Sequence, residues 1–98
     1  MRRVVVRYTV KPGRAEENAE LVRDVYAELE RTKPEGLRYA TFQLEDGLTF
    51  VHVAAHEAGA SNPLTSLDAF KRFQAGIKER CDEGPVVSEA EEVGSYGF

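Results

Sequence analysis

Asp46-Gly47 stands between two eight-residue segments, LRYATFQL at 37–44 and LTFVHVAA at 48–55, both rich in β-branched and aromatic residues. An Asp-Gly pair flanked in this way predicts a β-hairpin with a two-residue type I′ turn. Counting outward from the turn sets the register: Gln43 faces Phe50, Thr41 faces His52, Tyr39 faces Ala54 and Leu37 faces His56. Those residues share one sheet face, while Arg38, Ala40, Phe42, Leu44, Val51, Val53 and Ala55 share the other.

The rest of the chain is organised around this hairpin. RVVVRYTV at 3–10 alternates Val4, Val6, Tyr8 and Val10 against Val5, Arg7 and Thr9, a strand with two different faces that ends at Lys11-Pro12-Gly13. From Arg14 the period changes. Ala15, Ala19, Val22, Val25 or Tyr26, and Leu29 form an apolar stripe opposite Glu16, Glu17, Glu20, Arg23, Asp24 and Glu28, and Pro34 and Gly36 end the helix. After EAGASNPL, in which Asn62-Pro63 reads as a turn, Thr65 and Asp68 have capping-box spacing. Leu67, Phe70, Phe73, Ile77 and Cys81 then form a second helical stripe, which Gly84-Pro85 is expected to stop. The tail VVSEAEEVGSYGF reads as a last strand, with Val87, Val93, Tyr96 and Phe98 as anchors and Gly94 and Gly97 as bulges.

The order β-α-β-β-α-β packs most simply as a four-stranded antiparallel sheet with both helices on one face, an α+β ferredoxin-like domain spanning 1–98. Its other face would be bare. Both parities of the first three strands carry apolar residues, so a second copy is expected to cover that face in a homodimer.

The net charge is −4, with acidic runs such as AEENAE and SEAEEV, which argues against a phosphate-binding surface and therefore against nucleic acid as a partner. Arg2-Arg3 leads at once into VVVRYTV, too short and too interrupted for a signal-peptide core. No run approaches the roughly 20 apolar residues of a membrane span, so the expectation is a cytoplasmic protein without membrane contact. Cys81 has no second cysteine for a disulfide or a metal site and is expected to be a buried structural thiol.

His52 and His56 are the only histidines. On one face of a strand their backbones lie roughly 13 Å apart, whereas zinc draws ligating nitrogens to about 2.0–2.1 Å of the metal. No acidic residue of the same parity completes a site, and no metal is expected. His52 is the more central and faces Thr41. An imidazole of ordinary pKa exchanges protons near neutral pH, which makes His52, with Tyr39 and Arg7, the candidate catalytic set. Thr41, Gln43, Asn62, Phe70 and Phe73 are the candidate ligand-binding residues, although aromatics on an apolar stripe more often serve the core.

Across nearly all 98 residues the chain resembles the antibiotic biosynthesis monooxygenase-like proteins of the dimeric α/β-barrel superfamily. The resemblance lies in the element order, the Pro-Gly step into an acidic helix, GLRYATFQLEDGLTFVHVAAHE, NPL with LDAFKRFQAGIKERC, and the terminal VGSYGF. It implies two sheets packed face to face across a dimer, with a small cavity between sheet and helices in each subunit. Members of that superfamily include cofactor-independent monooxygenases of aromatic polyketides or quinols, and haem-degrading oxygenases. This chain has no tryptophan, which those enzymes use in their pockets, and SLDAFKRFQAGIKERC contains no histidine to ligate haem iron. The expectation is therefore a small-molecule protein needing no cofactor, acting on a small phenol or quinol, or a ligand-binding or structural homodimer without activity.

Overall fold

The computed structural model describes residues 2–57 and 62–97. Four strands, β1 (Arg2–Val10), β2 (Leu37–Gln43), β3 (Thr49–His56) and β4 (Cys81–Ala90), form one antiparallel sheet in the order β2-β3-β1-β4. The two main helices are α1 (Ala15–Thr32) and α2 (Asp68–Ala75); a 3-10 turn (Pro63–Ser66) precedes α2 and a single helical turn, α3 (Ile77–Arg80), follows it. This is the ferredoxin-like α+β arrangement that the element order predicts.

The β2–β3 register is the one counted from Asp46-Gly47, with Thr41 opposite His52 and Leu37 opposite His56. The turn is of another kind. A type I′ turn needs positive φ at both central residues, but only Gly47 has it, at +73°. Gly47 N–H donates to the Leu44 carbonyl at 3.0 Å. The Asp46 carboxylate accepts from the Leu48 and Thr49 N–H groups and from the Thr49 hydroxyl. An aspartate that closes the loop on its own backbone keeps the same residue count, so the pairing parity is unchanged.

Across β1, Val6 lies opposite His52 and Tyr8 opposite Phe50, which adds Val4, Val6, Tyr8 and Val10 to the histidine face. The helices cover this face, where Tyr8, Val10, Phe50, Val25, Leu64 and Phe73 are buried in one cluster. The opposite face carries no helix among the described residues; Glu92, Gly94 and Ser95 border it beside Arg3 and Ala55, while Phe42 is 52% and Val53 37% exposed.

Three sequence expectations are corrected. The second helical stripe does not run on to Cys81: the chain leaves α2 at Gly76 and enters β4 at Cys81, which is buried there. Gly84 and Pro85 therefore lie inside a strand and stop nothing. That strand is an edge strand with register shifts against β1, where a missing N–H is tolerated. Thr65 does not cap α2, because its hydroxyl donates to the Asn62 carbonyl within the 3-10 turn. The cap comes from α1, where the Glu28 carboxylate accepts from Ala69 N–H at 2.9 Å; a negative group at a helix N-terminus is favoured by the helix dipole, and here it ties the two helices together. Val93 and Tyr96 are not anchors either. β4 ends at Ala90, before Gly94 and Gly97, and Val93 and Tyr96 are 102% and 96% exposed. Phe98 lies outside the described residues.

Candidate functional site

A chain of buried polar groups runs through the core on the helix side of the sheet. It starts at Arg80, the last residue of α3, which is 2% exposed. The absence of a side chain at Gly76 leaves room for its guanidinium as it folds back over α2: a Cβ there would lie 3.2 Å from it. Arg80 Nη2 donates to the Phe73 carbonyl at 2.7 Å, its Nε donates to Asn18 Oδ1 at 3.3 Å, and its Cζ lies 5.5 Å from the centroid of the Phe73 ring. No ion pair among the described residues includes it. A buried cation with only neutral partners is uncommon, since desolvation is offset here by two hydrogen bonds and a ring face.

Asn18 sits on the apolar stripe of α1, one turn before Val22, and is fully buried. Its Nδ2 donates to the Tyr8 hydroxyl at 2.8 Å. That hydroxyl is 2.8 Å from His52 Nε2, and on the other side of the ring Nδ1 is 2.6 Å from the Tyr39 hydroxyl and 3.1 Å from Thr41 Oγ1. The Tyr26 hydroxyl closes the line at 2.8 Å from Thr41 Oγ1. Burial holds the Tyr8, Tyr39 and Tyr26 phenols protonated by pushing each pKa up, and it lowers the His52 pKa from 6.5 to about 4.

Beside this line lies a cavity of about 290 Å³. Its walls are mostly apolar, with Val4, Val6, Leu64, Phe70, Phe73 and Ile77 among them, and Pro85 and Val87 of β4 complete them. Tyr8, Tyr39 and His52 form one polar wall, and Asn62 and Gln74 add amides.

No protein-family model matches the sequence, and neither does any curated protein. Solved structures do match. An antibiotic biosynthesis monooxygenase candidate from Nitrosomonas europaea superposes with a TM-score of 0.76 at 16% identity, covering 98% of this chain and 93% of its own. One from Caulobacter crescentus gives a TM-score of 0.71 at 23% identity over 95% and 90% of the two chains. SnoaB, a cofactor-independent oxygenase from Streptomyces nogalater, gives 0.71 at 15% identity over 99% and 97%. The chain has the antibiotic biosynthesis monooxygenase-like fold.

Within this fold the residues singled out from the sequence separate into two groups. His52, Tyr39, Asn62, Phe70 and Phe73 all line the cavity. Thr41 touches His52 from behind and lines a separate surface hollow near Tyr26, and exposed Gln43 donates to the Gly47 carbonyl. Arg7 is a correction: it is opposite Val51 on the helix-free sheet face, the other side from His52. The free, neutral-pH base expected at His52 is corrected too, since both ring nitrogens are engaged and the ring resists protonation. His56 is turned away, with Nδ1 3.2 Å from the Glu57 carbonyl, and no three metal-ligand side chains cluster among the described residues.

Tyr8, Asn18 and Arg80 were missed. Asn18 had a signal, as the one polar residue at a stripe position of α1 between Ala15 and Val22. Arg80 had none, because its burial depends on α1 and α2 meeting.

The antibiotic biosynthesis monooxygenase-like fold of this chain should lose stability in mild acid because of His52. Between pH 6.5 and about 4 the unfolded chain binds a proton that the folded chain refuses, so unfolding becomes easier as pH falls through that window. The loss reaches roughly 3 kcal/mol at the lower end. Urea titrations at a series of pH values check it: a His52→Gln variant should show a flatter profile over this window, and an equally steep one would assign the acid sensitivity elsewhere.

Proposed function

We propose that the chain binds a one- or two-ring aromatic molecule in this cavity and oxygenates a small phenol or quinol without a cofactor. The observation that carries the reading is the cavity itself: mostly apolar, about 290 Å³, with Tyr8, Tyr39 and His52 among the residues that line it. Ligand pockets start at roughly 300 Å³, which suits one or two rings. SnoaB, with the same fold, is a cofactor-independent oxygenase.

The chemistry closes without a cofactor when the substrate itself reduces oxygen. A phenol such as 1-naphthol loses its proton and transfers electrons to O2. One oxygen atom replaces the para hydrogen, the other leaves as water, and 1,4-naphthoquinone is the product. The polar wall would stabilise the oxyanion that starts the sequence. Oxygen uptake with 1-naphthol and 1,4-dihydroxynaphthalene tests this, with one atom from labelled O2 expected in naphthol-derived quinone. Tyr39→Phe should slow turnover by about a hundredfold. No uptake with any phenol or quinol would remove the oxygenase reading.

A second reading, a ligand-binding homodimer without activity, is favoured by one observation. His52, with a pKa near 4 and both nitrogens engaged, is a poor general base. Ligand-induced thermal stabilisation without turnover is its signature. In either case we assign the helix-free sheet face, with Phe42, Leu44 and Val53 exposed, to a second copy of the chain.

A further inference from the structure

Arg80 is the only member of the buried polar line that can donate hydrogen bonds and never accept one. That asymmetry propagates. Because Arg80 Nε donates to Asn18, the Asn18 amide must turn its oxygen to Arg80 and its NH2 to Tyr8. The Tyr8 oxygen is then occupied as an acceptor, and its single proton has His52 Nε2 as its partner at 2.8 Å. A neutral imidazole that accepts at Nε2 carries its hydrogen on Nδ1, which points to the Tyr39 oxygen at 2.6 Å.

Three hydroxyl hydrogens are left over, those of Thr41, Tyr26 and Tyr39; Thr41 gives its own to the Tyr26 oxygen at 2.8 Å and Tyr26 faces a surface hollow, so on the cavity side the Tyr39 hydrogen remains. In the opposite tautomer Tyr8 would accept twice, and its own hydrogen would be stranded without a partner on a residue only 1% exposed. Tyr39 is half-buried and lines the cavity, so its hydrogen has somewhere to go.

We infer that the cavity meets its ligand with a hydrogen-bond donor, the Tyr39 hydroxyl, oriented by Arg80 through Asn18, Tyr8 and His52, and that it selects an acceptor oxygen: a carbonyl or the oxygen of a deprotonated phenol. This rests on reading the cavity as a ligand site. Asn18, Tyr8, His52 and Arg80 are positioning residues, and Tyr39 alone touches the ligand's oxygen.

One atom reverses the line. In Asn18→Asp the carboxylate accepts from Arg80 and also from the Tyr8 hydroxyl. His52 must then donate from Nε2 to the Tyr8 oxygen, Nδ1 becomes an acceptor, and the Tyr39 hydroxyl turns its hydrogen to it. The cavity then meets an acceptor. The new carboxylate lies beside the buried guanidinium, so the variant gains an ion pair in place of a neutral contact.

The experiment is long-range proton–nitrogen NMR of the His52 ring in ligand-free protein at neutral pH, followed by binding of 1-indanone and indole. These two probes share a fused six–five ring frame but offer a carbonyl and an N–H respectively. The wild type should show the Nδ1–H tautomer and Asn18→Asp the Nε2–H tautomer. The ratio of indanone to indole affinity should fall by about tenfold or more between the two proteins. An Nε2–H wild type, or one tautomer shared by both proteins, would overturn the inference, as would an unchanged ratio. Expected tautomers with no binding of either probe would uphold the direction of the line and instead overturn the reading of the cavity as a ligand site. The tautomers are read without turnover, so an absent oxygenase activity leaves the direction of the line standing.

Discussion

Phe73→Ala is expected to lower the unfolding free energy by about 3–5 kcal/mol, the cost of truncating a buried phenylalanine. Few single changes in this chain should cost more. The ring is 5% exposed, and its centroid lies 5.4 Å from that of His52, 6.0 Å from Phe70 and 6.1 Å from Tyr8. It is also the ring beneath the Arg80 guanidinium, so truncation removes both packing and one of the few partners of a buried cation. Against a total stability of about 5–15 kcal/mol for a domain of this kind, the loss is a large share. Urea unfolding should show a lower midpoint with little change in slope. A midpoint within experimental error of the wild type would mean that the ring is not packed as described.

On the homodimer proposed for this sheet face, Phe42→Asp should abolish self-association at low micromolar concentration while the protomer stays folded. The side chain is 52% exposed in the single chain, so its own fold loses little when it is replaced. Across a two-fold interface the same substitution occurs twice, and two unpaired carboxylates would be desolvated in one apolar patch. At about 2 kcal/mol for each, the dissociation constant should rise by about a thousandfold. Sedimentation of both proteins decides it: a wild-type monomer, or a variant that associates as tightly as the wild type, would assign the Phe42 face to some other role.

Local pairing was legible in the sequence, and non-local pairing was not. One Asp-Gly step was enough to place Thr41 opposite His52, because the hairpin partners are close in sequence and a slip of one residue would turn Phe50 and His52 away from the helices. Arg7 shows the limit. Its parity within β1 was clear, but its face relative to His52 depends on β1 pairing with β3 more than forty residues away, which no local signal sets. The end of α2 failed for another reason. Cys81 is apolar in a strand as in a helix, so four-residue spacing from Ile77 could not distinguish them, and an edge strand accepts the Gly84-Pro85 that reads as a helix stop. In the site, the cavity aromatics and His52 were visible as apolar stripes and a lone titratable group. The line behind them was not, since a lysine or arginine near a helix end is normally solvated, and Arg80 is buried here because Asn18 of α1 and Phe73 of α2 meet around it.

The outer strand has a consequence for crowded solutions. β4 is an exposed edge, the part of a sheet along which molecules polymerise by adding strand to strand. Pro85 offers no N–H to an incoming strand, and the register shifts beside it interrupt the flat ladder that a neighbour would need. Exposed Asp82 and Glu83 add negative charge along the edge, which disfavours the approach of another acidic copy. Fibre growth along this edge is therefore blocked by the same irregular strand that walls the cavity.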